Sequence, residues 1–270
     1  MTKKTEDFQA QFRGFYNTPH LFQSPVFGMN PFTELLDHPF TFNNAIKPNT
    51  RLGLRVEQFV FEELKQFKNI KLLAENIQIQ ETVNHTIGEL DCLFLDDGQP
   101  THLEIQFKYY LFDASLGNSE VDCLIGPMRK DSLLEKLNKL KTKQLPLLYA
   151  DATQPLLDRL QLKAENFKQQ LYFKAQIFVP FGETIEFKSL NNACVYGFYF
   201  KYHQLDLFKD CKFYIPKKID WLLDLDTNVN WSTFKQIQPQ LAVFETENYS
   251  PLLWLKFKNG EMSKCFVVAW

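Results

Sequence analysis

The chain has 270 residues, of which 45% are hydrophobic and 23% are charged, so it is long enough to bury a core without disulfide or metal crosslinks. Its formal charge of −2 argues against indiscriminate tight binding to a polyanion but leaves room for a local basic groove. The five cysteines are scattered, no apolar leader follows Met1, and no stretch approaches the ~20 apolar residues of a membrane span. These features predict a cytoplasmic protein with reduced thiols and no membrane partner.

The predicted elements follow an N-terminal extension over residues 1–45, where many Phe and Pro residues limit any helix to short pieces. We expect this extension to be ordered and packed on a core. At Asn49-Thr50 the pattern changes to that of a helix cap followed by apolar residues with helical period. The apolar residues of this first core helix are Val56, Phe59, Val60, Leu64 and Phe67.

Three strands come next in the prediction, over residues 70–81, 86–96 and 101–112. A second helix over Lys130–Lys143 and a short strand over Ala175–Pro180 complete the order α-β-β-β-α-β. A crossover helix before the last strand is typical of an α/β arrangement, which is the fold class we predict.

This order divides the chain into three consecutive regions: the N-terminal extension, a core over residues 46–182, and a β-rich C-terminal addition over residues 183–270. The addition is predicted from aromatic runs, because aromatic residues are enriched in strands. The runs are Val195–Tyr202, Lys212–Ile215, Leu252–Phe257 and Cys265–Trp270.

The second and third predicted strands form a hairpin, because Asp97-Gly98 is a strong two-residue turn signal. If these two residues occupy the loop, antiparallel pairing places Asp91 directly opposite Glu104. Directly opposed side chains have Cβ atoms about 4.5–5.5 Å apart, and like charges there are destabilising unless they are neutralised. A divalent cation would neutralise them. Mg²⁺ suits the pair because it prefers oxygen ligands and commonly uses one or two carboxylates.

The polar face of the third strand carries ionisable and amide side chains at alternating positions. An ordinary amphipathic strand with one solvated side would show the same alternation. The opposed acids favour a functional site, because solvated faces usually carry charges of both signs. The residues of this face are His102, Glu104, Gln106, Lys108 and Tyr110.

These residues resemble the PD-(D/E)xK nuclease-like superfamily, whose motif is an acid on one strand and an acid-x-lysine on the next. Asp91 and Glu104 match the two acids, and the predicted element order matches the superfamily's core over about residues 50–180. Gln106 stands where the motif has lysine, and Lys108 lies one same-face step further on. The resemblance implies a restriction-endonuclease-like αβββαβ core.

The resemblance also implies hydrolysis of nucleic-acid phosphodiester bonds with Mg²⁺ or Mn²⁺ as the cofactor. The ion would be held by Asp91, Glu104 and the backbone carbonyl of Ile105, and would activate a water molecule. Lys108, or Gln106 in its stead, would orient that water or stabilise the developing anion.

Glu57 is a further candidate, because it shares a helical stripe with Val60, Phe61 and Leu64 and so would point inward. In the resembled superfamily a first-helix acid often joins the metal site. The alternative is a boundary residue that reaches solvent along the apolar edge.

The second predicted helix carries lysines around an apolar stripe, and Gln144 and Tyr149 follow it. We take Lys136 and Gln144 as candidates for binding substrate phosphates, with a solvated lysine face as the alternative. A related nuclease branch has a Gln-x-x-x-Tyr motif, from which Gln144 and Tyr149 differ by one residue in spacing. The lysines are Lys136, Lys139, Lys141 and Lys143.

The C-terminal region offers Pro216-Lys217-Lys218 and the aromatic run Tyr196–Tyr202 for contacts with a strand backbone and bases. Core packing is the simpler explanation of the aromatic residues. Further segments that bear on the family of the whole chain include Ile125-Gly126-Pro127, Asp131 and Pro216–Trp221. With these segments the chain resembles an uncharacterised bacterial family, domain of unknown function 1853.

Two other functions stay open beside a nuclease with nucleic acid as its partner. One is a non-catalytic nuclease-like module that binds nucleic acid or a protein, which Gln106 and the near-neutral charge favour. The other is a metal-dependent hydrolase with a different substrate, because a fold alone does not define a function. The oligomeric state is open as well.

Overall fold

The structure is a computed structural model that describes residues 7–34, 36, 40–42 and 50–270. It is a mixed α/β protein with both parallel and antiparallel strand pairs. The α-helices among the described residues are α1 (Phe8–Asn17), α2 (Leu52–Leu64), α3 (Leu133–Lys139), α4 (Gln154–Leu160) and α5 (Phe234–Thr246). The strands are β1 (Asn30–Pro31), β2 (Ile70–Thr82), β3 (His85–Asp96), β4 (Gln99–Phe112), β5 (Leu124–Ile125), β6 (Lys168–Pro180), β7 (Val195–Lys201), β8 (Lys212–Tyr214), β9 (Ser232–Thr233), β10 (Leu252–Lys256) and β11 (Met262–Val268).

The chain forms two compact units, each assembled from separate stretches of sequence. The hairpin unit comprises the described residues of 20–107 and 135–174, and the terminal unit comprises those of 7–19, 108–134 and 175–270. Strands β4 and β6 contribute residues to both units. The predicted boundaries at residues 45 and 182 divide the chain into consecutive regions, whereas each unit combines separate stretches. These boundaries stay a prediction.

The hairpin unit is built on the strand order β2-β3-β4-β6, with β1 parallel to the first half of β6. Strands β2, β3 and β4 are successive antiparallel neighbours. A core of aliphatic side chains joins β2 and β3 to the segment around α4. Its buried members are Ile79, Leu90, Leu93, Leu147, Leu148, Leu156, Leu157 and Phe167.

The terminal unit contains the β-rich region that the aromatic runs predicted. The second half of β6 pairs in parallel with β7, β7 pairs in parallel with β11, and β11-β10-β8-β9 follow as antiparallel neighbours. Helix α5 contributes Ile237 and Leu241 to the core of this unit. The other buried members are Phe200, Tyr202, Phe208, Cys211, Phe213, Leu253, Leu255, Cys265 and Val267.

Helix α2 confirms the predicted first core helix, and its stripe of Val56, Phe59, Val60 and Leu64 is buried. The helix ends at Leu64, so Phe67 lies beyond it. The predicted cap differs in detail. Arg51 is the N-cap residue and makes no side-chain capping hydrogen bond, Thr50 precedes it, and Asn49 lies outside the described residues.

The three predicted strands are present as β2, β3 and β4, each within two residues of its predicted start. The second predicted helix and the last predicted strand of the core are present, but their predicted bounds were wrong. The helix predicted over Lys130–Lys143 is shorter, because α3 ends at Lys139 and passes into a π-helical turn over Leu140–Gln144. Strand β6 begins seven positions before the predicted Ala175, since its polar early residues obscure a strand pattern. These residues are Lys168, Gln169, Gln170 and Lys174.

The N-terminal extension is ordered where it is described. Phe12 and Phe15 of α1 are buried in the terminal unit. In the hairpin unit, the backbone N–H groups of Leu21 and Phe32 donate to the carbonyls of Phe173 and Leu171. Part of the predicted extension, residues 1–6 and 43–45 among them, lies outside the described residues. None of the described helices is long and apolar enough to cross a membrane.

Candidate functional site

The β3–β4 turn sets the positions of the two predicted acids. Asp97 and Gly98 have positive φ values of 47° and 85°. Left-handed conformation at both loop positions is typical of a type I′ turn, whose twist matches that of the flanking strands. Pairing runs from Asp96 opposite Gln99 to Cys92 opposite Leu103, which confirms the predicted register. Asp91 and Glu104 are the next residues of the two strands.

Asp91 bonds directly to the backbone of the facing strand. Its Oδ2 atom accepts a hydrogen bond from the backbone N–H of Ile105 at 2.8 Å. The side chain of Asp91 is 8% exposed, and that of Glu104 is fully buried. A hydrogen bond to an ionised acceptor is stronger than one between neutral groups, so this bond orients the Asp91 carboxylate beside Glu104.

Glu104 has a side-chain hydrogen-bond partner at each carboxylate oxygen. Oε1 lies 3.0 Å from Nε2 of the buried His102, and Oε2 accepts from Nε2 of Gln144 at 2.5 Å. The Oε1 atom of Gln144 in turn accepts from the Lys136 ammonium at 2.9 Å. A lysine only donates, so its bond defines which end of the Gln144 amide faces Glu104.

Glu57 of α2 lies close enough to Asp91, Glu104 and Glu89 to interact with them electrostatically, and these four acids are the acid cluster. Asn76 of β2 lies between Glu75 and Ile77, which pair with Cys92 and Leu90, so Asn76 is opposite Asp91. Asn76 has a φ of 50°, and its side chain hydrogen bonds to the Glu57 carboxyl group. Asn is one of the few residues other than Gly that adopt this conformation readily. The Oε2 atom of Glu57 is buried and has no hydrogen-bond partner among the described residues.

Asp91, Glu104 and Glu57 of this cluster have raised pKa values, for which burial is the largest cause. Burial raises the pKa of Asp91, and the charge of Glu104 raises it further. Burial likewise raises the pKa of Glu104, and the charge of Lys136 opposes that shift in both residues. The pKa of Glu57 is raised to about 7 by burial first and then by Asp91 and Glu89. Acids that repel one another in a buried site favour a bound cation.

The carboxylates of the cluster could supply only part of a cation's coordination shell. Within the described residues, no group of three or more His, Cys, Asp or Glu side chains is arranged to hold a metal ion. Asp91 and Glu104 are the two carboxylates of the site that could bind a cation. A Mg²⁺ ion commonly uses one or two carboxylates and completes its shell with water and substrate phosphate oxygens.

The remaining predicted residues of β4 occupy different surroundings. Ile105 is buried, and its N–H donates to Asp91. Gln106 is 9% exposed and lies two positions beyond Glu104, on the same face of the strand. Lys108 belongs to the terminal unit, where its ammonium bonds to Asp131 at 2.7 Å.

The lysines of the second predicted helix divide into two kinds. Lys136 is half-buried and bonded to Gln144, within the electrostatic reach of Asp91 and Glu104. Lys139, Lys141 and Lys143 are exposed, in agreement with a solvated lysine face. Tyr149 is 54% exposed, so it lies at the surface beyond Gln144.

The C-terminal candidates lie in the terminal unit. Lys217 and Lys218 are exposed, and the Lys218 ammonium lies 5.8 Å from the centre of the Trp221 ring. In the aromatic run, Tyr199 and Tyr202 are buried and donate hydrogen bonds to the carbonyls of Phe112 and Tyr249. Core packing therefore accounts for these two residues.

Sequence reasoning did not assign a role to Asn76, Glu89, His102 or Gln169. Glu89 precedes Asp91 by two positions, so the alternation of the strand placed both acids on one face. The sequence therefore contained a signal for the position of Glu89. His102 stands on the same strand face as Glu104, whereas Gln169 lies in the part of β6 that was not predicted. No local pattern pointed to Gln169.

The fold and the cluster define a mixed α/β protein with a buried acid site beside a strand hairpin. Its two central acids come from adjacent antiparallel strands, and a third comes from the preceding helix. The protein-family model described as Domain of unknown function (DUF1853) matches residues 32–268, so the chain belongs to that family. No curated protein and no solved structure matches the chain.

Proposed function

We propose that this protein is a Mg²⁺- or Mn²⁺-dependent phosphodiesterase of the PD-(D/E)xK type that acts on nucleic acid. The observation that carries the proposal is the pair formed by Asp91 and Glu104 at the end of the β3–β4 ladder. Both carboxylates are buried, burial raises the pKa of each, and the charge of Glu104 raises that of Asp91 further. The helix-strand-strand-strand-helix-strand order of α2, β2, β3, β4, α3 and β6 supports a restriction-endonuclease-like core.

The donor set fits a magnesium ion. A carboxylate has about four lone-pair positions, and Glu104 uses two of them for His102 and Gln144 and also hydrogen bonds to the side chain and backbone of Asp91. Asp91 likewise uses one oxygen for the Ile105 N–H. A cation that replaces the bond between the two side chains would thus find lone pairs on both acids, and the backbone carbonyl of Ile105 is the third proposed ligand. The unpartnered Oε2 atom of Glu57 adds a further negative group beside them.

A divalent ion held by Asp91, Glu104 and Ile105 would supply Lewis-acid stabilisation of the phosphate and an activated water molecule. The side chains of this protein would perform the other steps. Glu57, with a pKa raised to about 7, accepts the proton of the attacking water at Oε2. Lys136 contacts a non-bridging phosphate oxygen and stabilises its growing charge.

Gln106 and Gln144 have orienting roles in this mechanism. Gln106, on the same strand face as Glu104, orients the attacking water in place of the motif lysine. Gln144 links Lys136 to Glu104 and keeps the ammonium near the acid pair. Lys108 is the other candidate for the motif lysine, and its ion pair with Asp131 would have to open first.

A non-catalytic module that binds nucleic acid or a protein is the second candidate function. It is favoured by Gln106 at the lysine position and by the bond between Lys108 and Asp131. A module of this kind predicts no metal-dependent hydrolysis, and binding that survives loss of the acid pair.

Calorimetric titration tests the metal site first. Mg²⁺ and Mn²⁺ are titrated into wild type, into the D91A/E104A double variant and into E165Q, whose exposed glutamate belongs to the same unit. We expect binding in wild type and E165Q and none in the double variant. Absence of binding in all three at millimolar metal would favour the non-catalytic module.

Cleavage assays then test the chemistry on single-stranded and double-stranded DNA and RNA. We expect wild type to cleave at least one of these with Mg²⁺ or Mn²⁺ and to stop when EDTA is added. Alanine at Asp91 or at Glu104 should abolish cleavage while the circular dichroism spectrum is unchanged. Cleavage by D91A at the wild-type rate would contradict this mechanism.

A further inference from the structure

The buried imidazole of His102 is held between two fixed partners in the hairpin unit. Its Nε2 atom lies 3.0 Å from Glu104 Oε1, and its Nδ1 atom lies 3.0 Å from Gln169 Nε2. The same Gln169 nitrogen donates to the backbone carbonyl of Leu145 at 2.6 Å. His102 is fully buried, so exchange of these partners with water is restricted.

These contacts select one tautomer of His102 by donor and acceptor chemistry alone. The Leu145 carbonyl only accepts, so the Gln169 atom that faces it must be the amide NH₂ group. The second hydrogen of that NH₂ group points at His102 Nδ1, which therefore accepts and carries no proton. The proton of the neutral ring is then on Nε2, where it is donated to Glu104.

We propose that His102, locked by Gln169 in the Nε2–H tautomer, is the positioning residue for the Glu104 carboxylate. The Nε2–H group occupies one lone pair of Oε1, while Gln144 occupies one of Oε2. The carboxylate is thereby held at both oxygens with its remaining lone pairs directed elsewhere. The other ring tautomer would aim a nitrogen lone pair at a carboxylate oxygen, which is repulsive.

The role of His102 in metal binding rests on the proposed function of the acid pair. Groups that hydrogen bond to a metal ligand orient it, and their loss typically weakens metal affinity by ~10–100-fold. His102 thus orients the Glu104 carboxylate in the metal-free protein.

The first test reads the tautomer without metal or substrate. Long-range ¹H–¹⁵N correlation spectra of ¹⁵N-histidine-labelled protein distinguish a protonated Nε2 from a protonated Nδ1. The His102 signal is assigned by its loss in H102Q. We expect the Nε2–H pattern in wild type, and a mixture of tautomers in Q169L, where the lock is absent. An Nδ1–H pattern in wild type would overturn the inference.

The second test compares two substitutions of His102 that differ in the donor they keep. The amide NH₂ of glutamine reaches the place of Nε2 and preserves the donor to Glu104, whereas the shorter asparagine does not. We expect Mn²⁺ affinity in H102Q to stay within about threefold of wild type. H102N should bind ~10–100-fold more weakly. The matched controls are H85Q and H85N, at an exposed histidine of β3.

Urea unfolding of each variant separates positioning from general stability. A purely structural role predicts that Mn²⁺ affinity follows the free energy of unfolding in both variants, and that outcome would overturn the inference. Equal Mn²⁺ affinity in wild type and folded H102N would also overturn it, with the metal site left intact. Absence of Mn²⁺ binding in wild type would instead defeat the proposed function, and the positioning role with it.

Discussion

The Asp91 carboxylate replaces a backbone acceptor at the point where the β3–β4 ladder ends, by taking the Ile105 N–H at 2.8 Å. This one bond joins the first acid to the residue that follows the second acid. The position of the Asp91 carboxylate relative to Glu104 is therefore set by the backbone of β4. Without this bond, rotation of the Asp91 side chain would leave that position less well defined.

Substitution of Asp91 should separate its acceptor role from its charge. D91A leaves the buried Ile105 N–H without an acceptor, so we expect its free energy of unfolding to be about 1–3 kcal/mol below that of D91N. D91N keeps an acceptor oxygen and removes the charge, so it should be at least as stable as wild type at pH 7.5 without metal. Urea denaturation measures both. Equal losses in D91A and D91N would show that the hydrogen bond does not determine the stability of this site.

The free energy of unfolding of the metal-free protein should depend on pH through the acid cluster. The folded-state pKa of Asp91 is raised above its unfolded value. Its stabilising contribution is therefore complete below the unfolded pKa near ~4, and is lost as pH rises toward neutrality. Removal of this group in D91N should make the variant progressively more stable than wild type between pH 5 and pH 8, by on the order of 2 kcal/mol.

The comparison with D91N is needed because two histidines act in the opposite direction. Burial lowers the pKa values of His20 and His102 to about 3 and about 4. Each histidine therefore decreases the free energy of unfolding as pH falls below ~6.5. The contribution of His20 cancels in the difference between variant and wild type, and that of His102 cancels in part, because the Asp91 charge raises the pKa of His102. E165Q, at an exposed glutamate, is the control variant. A flat difference for D91N would contradict the raised pKa of Asp91.

Divalent metal should stabilise the folded protein. A ligand that binds only the native state adds about 2.7 kcal/mol when its concentration is 100 times its Kd. We expect Mg²⁺ or Mn²⁺ to raise the Tm of wild type, and EDTA to reverse the rise. D91A/E104A should show no metal-dependent change in calorimetry. The same rise in Tm in the double variant would assign the effect to another site.

Two lysines should differ in their effect on cleavage. K136M removes the ammonium that lowers the pKa of both Asp91 and Glu104, so metal binding by these two acids should require a higher pH. We also expect kcat to fall by ~100-fold, because a group that stabilises transition-state charge is lost. K108M breaks a partly exposed ion pair with Asp131 and should change kcat by less than about threefold. The reverse order of effects would make Lys108 the functional counterpart of the motif lysine.

Local signals were sufficient for the elements that frame the site. The stripe of α2 and the three strands were predicted because periods of 3.6 and 2 residues are properties of consecutive residues. Asp97-Gly98 determined the register of β3 and β4, since two positive φ values at a turn permit few pairings. The positions of Asp91 and Glu104 on adjacent strands follow from that register.

The sequence by itself therefore determined which two acids face each other. Only the tertiary structure decided which side chains surround them. Gln144 is 40 residues from Glu104, and Gln169 is 67 residues from His102. Their positions depend on how the π-helical turn after α3 and the early part of β6 pack in the hairpin unit. Lys136 bonds to Gln144 beside the acids, whereas Lys108 pairs with Asp131. The sequence could not distinguish these two lysines, because packing between distant segments, unlike turn geometry, leaves no local pattern in the chain.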